Sequence, residues 1–426
     1  MSLPASPRGS RPRARGGVRY QTLADVWSGR QNGFGLIRLL LSVAVIVAHA
    51  RVLGFGGNGP FYNTWQKQTE IGGFAVLGFF AVSGMLITRS ANRVTARQFA
   101  WHRFLRIMPG LWFCLLVTAF VAGPVLAHHE RLPLHAYLTH PQGPWQYVTS
   151  NWTLGVRQGG VSGLLAHNRL AGNINGALWS LPLEVTCYLA VAALAALGVL
   201  KRSRSVLLLL IAGAWLYLVD MAVDAGTLRM DLYSHTGVAW NLPFLGYISM
   251  DQLLPLMLTF GLGAAAEVYR DRLPMNKALG GVSGLVLVLA LTMGGLTTYG
   301  LPAFVYFVIW AGVYMPRPLT GVGSRADFSY GLYVYGFVAE QTLIDFGATR
   351  WGLTVFTLAS LLLALVAAVC SWYLVEKPAL RLKSRRPRDL RIRRRGGGRS
   401  GPDSHAMPRP KDPLESQSMD AAATHG

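Results

Sequence analysis

An all-α integral membrane protein, a bundle of about ten transmembrane helices with both termini in the cytoplasm, is the fold class that three features of the sequence predict. The 426-residue chain is 52% hydrophobic and only 14% charged, too poor in charge for a soluble domain. Its apolar residues come in runs close to the roughly 20 that a hydrocarbon core about 30 Å thick asks of a helix. Its basic residues are spread unequally about those runs, as the positive-inside rule requires.

Taken in order, the runs are 34–53, 71–88, 111–127, 179–200, 206–223, 253–268, 281–297, 301–316, 328–346 and 353–376. A further stretch, 238–250 (VAWNLPFLGYISM), reads as an eleventh, partial span. With both ends inside, 32 of the 40 lysines and arginines fall in cytoplasmic segments. Seven fall outside, at Arg51, Lys67, Arg131, Arg157, Arg169, Arg229 and Arg350, and Arg38 lies within the first span.

Residues 1–33 and 377–426 are basic and rich in Gly, Pro and Ser. They read as disordered cytoplasmic arms flanking a membrane domain at 34–376. The net charge of +21 concentrates in these arms, where attraction to anionic membrane lipid accounts for it without nucleic acid. The Arg-rich start precedes a span that carries Arg38 and His49 and no cleavage pattern, so it reads as a retained span rather than a signal peptide. Cys114, Cys187 and Cys370 offer neither a disulfide framework nor zinc spacing. The segment 128–178 holds five histidines with Trp145 and Trp152 and reads as the roof of an outward-facing site, but without the carboxylates and i, i+4 pairs of a metal site, so no metal is expected.

Chemistry is expected where ionisable groups enter apolar spans, because each costs a few kcal/mol there and usually has a task. Arg38 and His49 are eleven residues apart, which at 100° per residue puts both on one helix face, separated by about 16 Å of rise. The structural alternative is an Arg38 that snorkels and a His49 that is an interfacial polar residue. Glu184, in NGALWSLPLEVTCYL, falls at a depth comparable to His49 and is the candidate carboxylate to orient its ring. A local salt bridge or cap is the alternative for Glu184. Arg103 and Arg106, at i, i+3 in RSANRVTARQFAWHRFLRIMPG, form a fork suited to phosphate on a short interfacial helix, although any cytoplasmic loop is basic. Gly78, Ser83 and Gly84 in LGFFAVSGMLI allow close approach of a helix or an extended ligand.

These residues resemble the acyltransferase-3 family of membrane O-acyltransferases, over roughly residues 31–380. The Arg38/His49 pair is similar to that family's first-helix signature, GFFAVSGMLI to its FFxxSG motif, RFLRIMP to its RxxRixP motif and LWSLPLE to its WSLxxE element. FSYGLYVYGF (328–337) and YLVEKP (373–378) resemble its late segments, with the departure that Gly336 stands where many members carry histidine. The resemblance implies transfer of an acyl group, acetyl above all, from cytoplasmic acyl-CoA to a hydroxyl of an extracytoplasmic carbohydrate, glycolipid or glycosylated product, in the inner membrane of a bacterium. It implies no bound cofactor, with acyl-CoA as co-substrate. It assigns His49 and Glu184 to the chemistry, Arg38, Arg103, Arg106 and Ser83 to the acyl donor, and Trp179, Ser180 and Tyr330 to support. The competing class is a secondary transporter or flippase of a glycan, which buried Arg, His and Glu also fit.

Overall fold

The computed structural model describes residues 20–27, 32–232, 237–323 and 326–384. Its helices are α1 (Leu23–Val26), α2 (Phe34–His49), α3 (Ile71–Ala91), α4 (Ala96–Val117), α5 (Ser180–Ala196), α6 (Arg204–Asp224), α7 (Met250–Val268), α8 (Lys277–Met293), α9 (Leu301–Val313), α10 (Ser329–Asp345) and α11 (Leu353–Ser371), with short turns of helix between them. Among the described residues seven helical stretches are long and apolar enough to cross a membrane: Phe34–Phe55, Ile71–Ala91, Ala96–His129, Gly176–Ala196, Arg204–Asp224, Leu296–Val313 and Leu353–Arg381. The other three expected spans are helices that fall short of that standard. α8 and α10 are 17 residues each, and the ends of α7 carry Asp251, Gln252 and Glu267.

Two local expectations give way. The arginine-bearing loop before residue 111 is not a separate interfacial helix: α4 starts at a Thr95 cap, whose hydroxyl accepts from the Gln98 N–H, and runs through Pro109 and a wide π-type turn at Thr118–Ala122 into Gly123–His129. Arg103 and Arg106 therefore lie in the first half of a membrane-length helix. Residues 238–250 are not a partial span. Pro243 and Gly246 interrupt the stretch, and it folds as a hairpin of β1 (Ala239–Leu242) and β2 (Gly246–Ser249), with Ala239 opposite Ser249.

Part of the basic N-terminal arm is docked. The Leu23 N–H donates to the Leu273 carbonyl at 2.9 Å, Arg270 donates to the Trp27 carbonyl at 3.0 Å, and the Arg89 guanidinium lies 3.9 Å over the Trp27 ring. Leu23 and Trp27 are buried, and that apolar pair supplies what the polar remainder lacks. Residues 377–384, assigned from composition to the tail, continue as helical turns. The rest of both arms, 1–19, 28–31 and 385–426, lies outside the described residues.

The core is built by close helix contact through small residues, as suits a setting where lipid offers no hydrophobic drive between helices. α3 and α7 approach backbone to backbone. A side chain at Gly84 would strike the Phe260 carbonyl, and one at Gly263 the Ala81 carbonyl. Gly263→Leu should cost about 1–3 kcal/mol through overpacking, read as a lowered thermal unfolding transition in detergent. An unchanged transition would show that the two helices do not meet there.

Candidate active site

α2 and α10 run side by side in the same direction and are tied at four levels. Arg38 Nη1 lies 2.6 Å from Asp327 Oδ2, in the loop that leads into α10. One turn on, the Ser42 hydroxyl donates to the Ser329 carbonyl at 2.8 Å. Then Gly336 meets Ile46, with no room for a Cβ between them. Last, His49 Nδ1 faces Glu340 Oε2 at 3.6 Å. Gly336 thus serves as the contact that lets the two helices close.

The fourth level corrects the expected pairing. His49 does not have Glu184 for its carboxylate neighbour; Glu340, fully buried on α10, takes that place. The 3.6 Å separation is too long for a hydrogen bond, and neither Glu340 oxygen has a hydrogen-bond partner. Phe337 packs edge-on to the imidazole, centroids 5.2 Å apart. Directly after His49 the backbone widens into a π-type turn, Ala50–Phe55, a distortion common at functional sites. His49 opens on the wider of two neighbouring cavities, about 370 Å³, together with Glu70, Trp179, Asp231 and Tyr333.

Glu184 belongs to the second, narrower cavity of about 40 Å³, lined also by Arg38, Ser180, Tyr330 and Tyr333. It accepts from the Ser83 hydroxyl at 3.1 Å and from the Tyr188 hydroxyl. Tyr188 follows it by four residues and so shares its helix face. Ser83 thus spends its hydroxyl on Glu184. Val76 and Tyr333 line both cavities, and Ser180 and Tyr333 exchange a 2.5 Å hydrogen bond between them. Trp179 lines the wide cavity, while the Tyr330 hydroxyl donates to the Ile107 carbonyl at 2.9 Å.

Arg103 and Arg106 do not act as one fork. Arg106 Nη2 is 2.5 Å from Asp327 Oδ2, the same oxygen that holds Arg38. Burial alone would raise the Asp327 carboxyl, but the two guanidiniums and the Ser329 hydroxyl and N–H hold it well below the usual carboxylate range. Arg103 points elsewhere, near the rings of Tyr188 (5.9 Å) and Phe99 (5.7 Å), and its Nε is buried without a hydrogen-bond partner. At i, i+3 the two residues start only about 60° apart around the helix; what parts the side chains is their different partners, Asp327 for Arg106 and the two rings for Arg103.

Asp327 and Glu340 were missed in reading the sequence, yet one signal was present. Glu340 lies within the apolar run 328–346 and meets the same test that singles out Arg38, His49 and Glu184. Asp327 sits one residue before that run, where acidic residues are ordinary.

A family profile described as an acyltransferase domain matches residues 31–376. The chain belongs to the acyltransferase-3 family. It is therefore an acyltransferase, and the transporter alternative falls away. The chain is 27% identical over 355 residues to an O-acetyl transferase of Shigella phage Sf6, covering 82% of this chain and 96% of that protein. It is 26% identical over 386 residues to Nodulation protein 10 of Rhizobium leguminosarum bv. viciae, covering 84% and 95%. No solved structure matches the chain.

In this acyltransferase the shared Asp327 oxygen yields a test. Asp327→Asn leaves Arg38 and Arg106 side by side without a salt-bridge partner among the described residues, and should cost up to about 3 kcal/mol, the partial exposure of the trio keeping it at the low end for a broken buried pair. Arg38→Met in the same background should restore part of that loss in a thermal unfolding measurement. Additive losses in the double variant would contradict the shared contact.

Proposed function

We propose that this acyltransferase moves an acyl group, acetyl in the first place, from acyl-CoA entering on the cytoplasmic side to a hydroxyl of a glycan or glycosylated product on the other side of a bacterial inner membrane. The observation that carries the proposal is the arrangement of two cavities end to end along α2. The narrow one is at the level of Arg38, the wide one at the level of His49, and both share Val76 and Tyr333. A thioester threading the narrow passage and an alcohol in the wide cavity would meet beside the imidazole. The name of the phage relative, O-acetyl transferase, supports acetyl.

In this reading the 3.6 Å gap between Glu340 and Nδ1 of His49 closes to a hydrogen bond when substrate is seated, which keeps the proton on Nδ1, and Nε2 takes the proton of the acceptor hydroxyl. The oxygen attacks the thioester carbonyl, the carbon–sulfur bond breaks, and the leaving thiolate collects the proton that His49 holds. Glu340 steadies the imidazolium between those steps. Glu184, tied up with Ser83 and Tyr188, shapes the passage rather than orienting His49. On the donor side Arg106 is committed to Asp327, so phosphate recognition falls chiefly to Arg103, whose Nε lacks a partner. Lys383 adds a cation beside it: burial, and then the charges of Arg103 and Arg106, push its ammonium down to about 8.

His49→Ala should reduce acceptor esterification by about 10²–10⁴-fold, the usual worth of a general base, in membranes supplied with labelled acetyl-CoA. Normal esterification would end this mechanism. Glu340→Gln should lower kcat with little effect on donor KM, whereas Arg103→Ala should raise donor KM with a smaller effect on kcat. The reverse split would exchange the roles given to the two ends of the channel.

A further inference from the structure

Transfer of an acyl group from a thioester to an alcohol passes through a tetrahedral adduct whose former carbonyl oxygen carries negative charge. Inside a helical bundle in a membrane that charge finds little water, so a hydrogen-bond donor has to be in place beforehand. In the wall of the narrow cavity most donors are spent. Arg38 and the Ser329 hydroxyl both hold Asp327, and the Tyr330 hydroxyl donates to the Ile107 carbonyl. Ser180 and Tyr333 differ. Both are buried, and their hydroxyls bond to each other at 2.5 Å. That contact uses one of the two hydroxyl hydrogens, and the other has no acceptor among the described residues. Among those residues Tyr333 is also the one polar side chain that lines both cavities. It precedes Glu340 by seven residues on α10 and so lies within about 20° of it around the helix. Its ring is held edge-on to Phe79, centroids 5.7 Å apart, which fixes where the hydroxyl sits.

Resting on the acyl-transfer reading above, we propose that Tyr333 is a further catalytic residue, whose hydroxyl donates to the thioester carbonyl oxygen where the two cavities meet, and that Ser180 is the positioning residue behind it. With the donor seated, Ser180 donates to the phenol oxygen and Tyr333 donates onward to the carbonyl oxygen, a chain in which one hydrogen bond strengthens the next. As the acceptor oxygen bonds to the carbonyl carbon, an electron pair of the C=O bond moves onto its oxygen and is held there by the phenol. The pair returns as the carbon–sulfur bond breaks and the thiolate leaves. Tyr333 keeps its proton throughout; the proton that moves is the one His49 takes from the acceptor. Because the hydrogen bond gains strength only as charge develops, its worth appears in kcat rather than in substrate binding.

Tyr333→Phe keeps the ring against Phe79 and removes only the hydroxyl. In membranes supplied with labelled acetyl-CoA its kcat should fall about 10²–10³-fold, the usual worth of one such donor, with the donor KM within about threefold of the unaltered protein. Ser180→Ala should cost about tenfold, as for one hydrogen bond, and Ser180→Thr should recover most of that loss. A second readout needs no turnover. The purified full-length protein in lipid nanodiscs is titrated with two analogues of acetyl-CoA: the S-ethyl thioether, which has no carbonyl, and a trifluoromethyl ketone, whose hydrate resembles the tetrahedral adduct. Tyr333→Phe should weaken the ketone at least about tenfold and leave the thioether within about twofold. An undiminished kcat in Tyr333→Phe, an equal loss of affinity for both analogues, or a Ser180→Ala loss that Ser180→Thr does not recover would overturn the proposal. Failure of the unaltered protein to bind either analogue would instead overturn the acyl-CoA reading on which it rests.

Discussion

An arginine placed inside an apolar helix must find a counter-charge, and the way Arg38 finds one organises this molecule. Its partner Asp327 comes from the far end of the chain and is shared with Arg106, so one carboxylate oxygen joins α2, α4 and the entry to α10. Burying three ions is expensive, and the trio gains most from fixing a unique arrangement. Once Asp327 sits against Arg38, the register of α10 along α2 is set. Ser42 then meets Ser329, Ile46 meets Gly336, and His49 meets Glu340. The last of these pairs is remote from the first, yet its geometry is inherited from it.

The same register explains the division of the bundle into two environments. At the Arg38 end the side chains are large and mutually bonded, through Glu184 with Ser83 and Tyr188 and through Ser180 with Tyr333, so the cavity there is small. At the His49 end the backbone opens into a π-type turn and the lining includes Gly57, Gly59, Gly72 and Gly73, so there is room for a ligand. His49 lies at the roomier end, and Arg38 and Arg106 lie where Asp327 holds them. The membership of the acyltransferase-3 family gives the class of reaction.

Much of the fold was legible in the sequence because hydropathy is a local property. Each of the ten apolar runs coincides with a helix, and the Arg38 and His49 spacing placed both on one face. What failed depends on contacts between distant segments. Nothing in NGALWSLPLEVTCYL says that Glu184 turns toward Ser83 and its own Tyr188 instead of His49. Nothing near RFLRIMP says that Arg106 meets a carboxylate two hundred residues later. The hairpin at 239–249 was misread for another reason: an apolar stretch of that length fits a strand pair as well as a partial span, and Pro243 and Gly246 should have decided it. Glu340 could have been found by applying one rule evenly to every apolar run.

The most direct measurement of the central claim, that the α2 and α10 register brings position 49 to position 340, is a cross-linking comparison in the full chain with Cys114, Cys187 and Cys370 replaced by alanine. One variant pairs His49→Cys with Glu340→Cys, the other pairs His49→Cys with Glu184→Cys, and both are treated in membranes with a short thiol-specific linker. The register described predicts an intramolecular link in the first pair and little in the second. Linking of the second pair and not the first would contradict it, and would return Glu184 to the place beside the imidazole.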